Sequence, residues 1–156
     1  MDVTTLTRAE AYEKHADELA RFATGLVGPH EARDIVSSAM VRVLWSKQWP
    51  TVDNPRAYLY TAVLNEARMH IRAAARRRAN EARAGHGGGL QHLAEARPDV
   101  VQAVGQLTVS QRAVVFLAYW EDLRPADIAR RLGLSEGTVH RQLRKGQARL
   151  RRMLHE

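Results

Sequence analysis

The chain has 156 residues, enough for one ordinary domain or two small ones, and with 45% hydrophobic and 26% charged residues it reads as folded rather than disordered. It has no cysteine, which excludes disulfides, thiolate metal sites and cysteine nucleophiles. The net charge of +7 is unevenly spread: residues 56–83 carry +5 and 124–156 carry +6, while 1–55 and 84–123 carry −2 each.

In chain order, Tyr12, Ala16, Leu19, Ala23 and Leu26 recur at helical spacing and predict a helix over 9–27. Gly28-Pro29 ends it and starts a second, with the apolar positions Ala32, Ile35, Val36, Ala39, Met40, Val43 and Leu44. Ser46 to Asn54, with Trp49-Pro50, reads as a loop. Asn54-Pro55 then caps a third helix, whose apolar Leu59, Val63, Ala67 and Ile71 step by four before the run Arg76-Arg77-Arg78.

The pattern breaks over 84–97, where Gly85, Gly87, Gly88 and Gly89 predict a tether whose ends would lie about 20 Å apart. It divides the chain into domains 9–83 and 98–156, and it is long enough to let them pack together and mask their basic faces. Beyond it, Pro98 opens a short helix to about Gln106, and Thr108 with Gln111 forms a capping box for the next. Two more helices follow, Pro125–Leu132 and about Glu136–Leu154. The expected fold class is all-α, two small helical domains with three and four helices.

The most specific local signal is Pro125 to Leu143, each landmark of which has a mechanical role in a helix-turn-helix. Ala129 is small where helices cross, Gly133 takes a left-handed conformation, Leu134 plugs the turn and Ser135 caps the second helix. Ile128, Leu132, Val139 and Leu143 face the core. Glu136, Thr138, His140, Arg141, Arg144 and Lys145 are then left for a DNA major groove. The clustering of Arg supports nucleic-acid binding; a GC-rich genome explains why Arg outnumbers Lys 21 to 3, but not why it clusters.

The segment Leu123 to Leu154 resembles region 4 of bacterial RNA polymerase sigma factors, and residues 9–83 resemble region 2. In the second half the resemblance rests on Asp127-Ile128-Ala129 through Leu132-Gly133, then Gly137-Thr138-Val139. In the first half His30-Glu31-Ala32-Arg33-Asp34-Ile35-Val36 is similar to the family's core-binding helix. Ala57-Tyr58-Leu59-Tyr60 through Asn65 and Arg72 is similar to its promoter-melting helix. Two regions in this order across a tether correspond to the minimal extracytoplasmic-function layout, here with an actinobacterial cast.

The resemblance implies that Asp34, Ile35, Val36 and Met40 dock the clamp coiled coil of core RNA polymerase, and that the region 4 body rests on the β flap. It implies that Trp49, Asn54, Arg56, Tyr58, Asn65, Arg68 and Arg72 hold and melt the −10 element. Ser135, Glu136, Thr138, His140, Arg141, Arg144 and Lys145 would read the −35 element as duplex. Promoter DNA and core polymerase are the implied partners, with an anti-sigma factor as a further candidate. The sequence departs from the family pattern at Arg33, Ser37, Tyr58 and Met69, and at His140-Arg141-Gln142 in the recognition helix.

Tyr58 reads equally as a base-stacker or a core residue, whereas Tyr60, Trp45 and Trp120 read as core. The rival reading is a stand-alone helix-turn-helix regulator, against which stands a basic, aromatic-bearing helix placed after an acidic docking helix. Catalysis is not expected, because no nucleophile–base pair, carboxylate pair or phosphate-binding loop is found. The seven histidines show no metal-ligand spacing, and no cofactor or small-molecule substrate is expected. The longest apolar run, Ala113 to Trp120, falls far short of the roughly 20 residues of a membrane helix. No secretory signal opens the chain, so a cytoplasmic location is expected.

Overall fold

The computed structural model describes residues 7–49, 53–81 and 98–155. Among these, seven helices and no strand are present: α1 (Arg8–Val27), α2 (Pro29–Trp45), α3 (Pro55–Glu81), α4 (Pro98–Gly105), α5 (Val109–Tyr119), α6 (Pro125–Leu132) and α7 (Glu136–Leu154). The expected helix order therefore holds. The predicted tether 84–97 and Pro50 in the predicted loop lie outside the described residues.

Local chemistry explains most of the boundaries. Thr7 caps α1: its Oγ1 accepts from the Glu10 amide at 3.2 Å while the Glu10 carboxylate accepts from the Thr7 amide at 2.8 Å. Thr108 and Gln111 form the same reciprocal box at α5. Asn54 Oδ1 accepts from the Ala57 amide at 3.1 Å and starts α3. Gly133 sits at φ 64°, ψ 34°, and the Leu134 amide donates back to the Ala129 carbonyl at 2.9 Å, closing α6. Asp122, at φ 53°, makes the sharp turn between α5 and α6 in a conformation that aspartate tolerates better than most residues.

α1, α2 and α3 pack on one another around Leu19, Phe22, Leu26, Val43, Leu59, Tyr60 and Val63. The second half gathers around Val114, Leu117, Ile128, Leu132 and Val139. Gly146 lets α7 lie close on α5, since a Cβ there would meet Val115 Cγ2 at 3.0 Å. The two halves do not stay apart: α5 lies against α1 and α3, α6 lies against α3, and the buried apolar cluster runs through both. The inward face of α1 is Ala11, His15, Leu19, Phe22, Ala23, Leu26 and Val27; of the expected positions, Leu19, Ala23 and Leu26 lie on it, while Tyr12 and Ala16 are half-buried. The face is wider than expected because α1 has neighbours on two sides, α2 with α3 and also α5.

Candidate nucleic-acid and docking surfaces

The recognition helix is held at its N-terminus by Ser135, whose Oγ accepts from the Thr138 amide at 3.1 Å. Val139 is buried and Leu143 half-buried, which turns the opposite face outward. That face presents Glu136, Gly137, His140, Arg141, Arg144, Lys145 and Ala148, all exposed and recurring every turn of the helix. Glu136 and His140 pair one turn apart at 3.6 Å. Thr138 is half-buried, and its hydroxyl lies 2.8 Å from Ser135 Oγ, so both side chains are occupied in building the helix start. Leu134 is 39% exposed rather than a plug of the turn, because the Gly133 turn carries it past the α6–α7 contact.

The residues expected on the −10 surface separate into several roles. Trp49 is only 6% exposed and packs edge-on against Tyr58, ring centroids 5.7 Å apart, so it belongs to the core and offers no face to a base. Tyr58 is half-buried, and its hydroxyl donates to Ser46 Oγ at 2.5 Å. Arg56 makes a two-pronged ion pair with Glu18, at 2.5 and 2.7 Å. Asn65 accepts from Arg68 at 3.2 Å, and Arg68 reaches across to Ser110 Oγ at 2.7 Å. Asn54 Nδ2 donates to the Arg130 carbonyl at 3.3 Å, and Arg72 is exposed.

Behind this surface lies a partly buried charge network. Burial alone would raise the Glu18 carboxyl, but the hydrogen bond and charge of Arg56 outweigh it and hold Glu18 below its usual range. Arg56 is raised in turn by that hydrogen bond. His15, 3.2 Å from Glu18, is lowered chiefly by burial, with Arg56 and Lys14 adding repulsion that Glu18 opposes. Burial raises the Tyr60 hydroxyl, to which Arg131 donates at 3.2 Å.

A depressed imidazole means that the unfolded chain protonates first. Stability from His15 is thus complete above about pH 6.5 and falls as the pH drops below that value. Glu18 adds a loss in the same direction at more acid pH. Thermal melts of His15→Gln should accordingly show a shallower decline between pH 7.5 and 5.5 than the parent. Parallel declines would remove His15 from the account.

On α2 the expected docking residues divide by face. Ile35 and Val36 are buried in the α1–α2–α3 core and Met40 is half-buried, so the first two are unavailable to any partner. Asp34 is exposed, and at 100° per residue it shares its outward face with Ser37, Ser38, Val41 and Trp45, with Leu44 at the edge. Trp45 is 83% exposed, and Val41 and Leu44 are more than half exposed. Trp120, also expected in the core, is 58% exposed and stacks on Phe116 with centroids 6.1 Å apart. Sequence reasoning missed the α2 patch, although a wheel centred on Ala32, Ala39 and Val43 places Val41 and Trp45 opposite the core.

Residues 11–77 match the family described as Sigma-70 region 2, and residues 98–150 match Sigma-70, region 4. The chain is 30% identical over 153 residues to the RNA polymerase sigma-E factor of Streptomyces coelicolor, covering 88% of this chain and 80% of that one. It is 31% identical over 161 residues to the ECF RNA polymerase sigma factor SigL of Mycobacterium tuberculosis, covering 93% and 87%. Among solved structures, the fold is similar to the sigma factor RpoE of Bartonella quintana, in complex with the anti-sigma factor NepR. The TM-score is 0.63 at 21% identity, over 94% of this chain and 96% of that one.

Proposed function

The chain belongs to the sigma-70 family, in its extracytoplasmic-function group, and on that basis we propose that it binds core RNA polymerase and directs promoter-specific initiation. It acts by binding alone: one half recognises and melts the −10 element, the other reads the −35 element as duplex. The observation that carries this reading is the order of the two matched regions, 11–77 then 98–150, together with an outward basic face on α7. The working units are the region 2-like domain 9–83 and the region 4-like domain 98–156, joined through 84–97.

In the second domain, His140, Arg141, Arg144 and Lys145 meet the major groove and its phosphates. Glu136 is placed to accept from a cytosine amino group. In the first, Asn54 at the start of α3 and Asn65, Arg68 and Arg72 along one face of it hold the −10 strand, with Tyr58 as the aromatic of that surface. Core polymerase docks on the outward face of α2, where the charge of Asp34 sits beside Val41, Leu44 and Trp45. An anti-sigma factor is a further partner in this reading.

Run-off transcription with purified core polymerase on fragments of the source genome tests it. Promoter-specific transcripts that need this protein are the expected result. Their absence, with tight duplex binding by the protein alone, would overturn it in favour of a stand-alone regulator. Within that assay, Arg144→Ala should weaken binding to the −35 duplex roughly 5- to 150-fold, the range for one base or phosphate contact worth about 1–3 kcal/mol. Unchanged affinity would take Arg144 off the DNA.

A further inference from the structure

We propose that the cleft between the C-terminal half of α3, the α1–α2 junction and α4 is a binding site for a nucleoside diphosphate, held by Arg77 and Arg78 together with the buried guanidinium of Arg112. None of its lining residues is among those assigned to DNA or to core polymerase, and the inference does not depend on those assignments.

The cleft follows from the register of α3. His70, Ile71, Ala74, Arg77, Arg78 and Glu81 recur every turn and form one wall. Of the run Arg76-Arg77-Arg78, two members therefore line the cleft. Val27 and Val101 add apolar surface, Gln102 and Gln106 add amides, and Arg112 of α5 completes the lining. The volume is about 640 Å³, within the roughly 300–1,000 Å³ range of small-molecule sites.

What marks this cleft for an anion is cationic charge that the protein does not balance. Arg112 is buried, its Nη atoms donate to the neutral carbonyls of Leu26, Gly105 and Leu107, and its Nε has no hydrogen-bond partner among the described residues. A buried charge without a counter-charge is costly, and an anion in the cleft that Arg112 lines offsets that cost. Burial lowers the Arg112 guanidinium below its usual value and the charge of Arg78 lowers it further, so like charges share the site. Arg77 and Arg78 are exposed and make no ion pair among the described residues; Arg78 has only a long bond, 3.5 Å, from Nε to the Ala74 carbonyl. Each planar guanidinium matches two phosphate oxygens, so two adjacent forks match two phosphate groups. Two carboxylates also face the cleft, Glu81 and Glu31, the latter 3.8 Å from His70 Nε2. With the amides of Gln102 and Gln106 they suit the hydroxyl and amino groups of a nucleoside, while Ile71, Ala74 and Val101 give its rings an apolar seat.

Isothermal titration calorimetry and thermal melts of the full chain test the site, with guanosine diphosphate, adenosine diphosphate, adenosine and inorganic phosphate as probes. At least one diphosphate should bind saturably, and at ten times its dissociation constant it should raise the melting midpoint by roughly 3–6 °C. Adenosine and inorganic phosphate each make only part of the contacts and should bind at least about tenfold more weakly. The double variant Arg77→Ala/Arg78→Ala and, separately, Ala74→Trp should abolish the midpoint shift, the first by removing the forks and the second by filling the cleft. Without ligand, Arg78→Ala should melt no lower than the parent, because it relieves the repulsion on Arg112, so a lost shift does not report misfolding. Midpoints that neither diphosphate moves would overturn the site. So would inorganic phosphate binding as tightly as the nucleotides, or binding that survives Ala74→Trp, since either describes a basic surface without a shaped pocket. If the parent bound neither diphosphate and the double variant lost duplex affinity, Arg77 and Arg78 would belong to nucleic acid and the proposal would fall.

Discussion

Trp45→Asp should reduce association with core RNA polymerase by roughly 30- to 1,000-fold, the range for an anchoring aromatic worth about 2–4 kcal/mol. The argument begins with cost. An indole that is 83% exposed gains almost nothing from its own fold, and it sits with Val41 and Leu44 on one face of α2. Large apolar side chains grouped on a surface mark an interface. Asp34, on the same outward face, adds a charge that steers and orients more than it binds, so Asp34→Arg should cost less than Trp45→Asp and should depend more on salt. Because neither side chain is buried, both variants should melt close to the parent. Fluorescence anisotropy of the labelled protein titrated with core enzyme measures the effect. A Trp45→Asp variant that binds core within threefold of the parent would remove the α2 patch from the docking surface.

The helices were legible because each carries its own start and stop. Pro29, Pro55, Pro98 and Pro125 open four of them, Thr108-Gln111 and Ser135 cap two more, and Gly133 ends α6 in a left-handed turn. The exposed stripe of α7 was legible for the same reason, since Val139 and Leu143 fix which way the helix faces. What the sequence hid was mostly burial set from outside a segment. Trp49 looks like a loop aromatic free to stack on a base, yet Tyr58 holds its edge. Ile35 and Val36 belong to a resembling motif, but their period is that of the core. Trp45 and Trp120 look like core by chemistry alone and lie outside it by angle. Arg56 looks like a phosphate ligand until Glu18, on another helix, claims its fork. The Gly25–Phe116 contact links positions far apart in the chain, and no local pattern announces it.

Arg112→Ala should lower the free energy of unfolding by about 3–5 kcal/mol, because it strands buried carbonyls that nothing else reaches. Arg112 is 5% exposed, and its guanidinium donates to the Leu26 carbonyl at 2.5 Å, the Gly105 carbonyl at 2.8 Å and the Leu107 carbonyl at 3.3 Å. Leu26 and Gly105 lie in the last turns of α1 and α4, where backbone carbonyls lack a partner within their own helix and the helix dipoles favour a cation. Burial lowers Arg112 below the usual guanidinium value, and the charge of Arg78 adds to that, but a guanidinium still keeps its proton at neutral pH. Lysine in its place keeps the charge but cannot span three acceptors, so Arg112→Lys should fall between parent and alanine. Urea denaturation followed by circular dichroism gives the ordering. The double variant with Phe116→Ala should cost less than the two single losses combined, because Phe116 packs on α1 at Gly25, beside the Leu26 carbonyl that Arg112 reaches, so that losing the ring loosens the same contact. Strict additivity would mean that Arg112 serves only its own half of the molecule, and that its bond to the Leu26 carbonyl contributes nothing to the packing of α5 on α1.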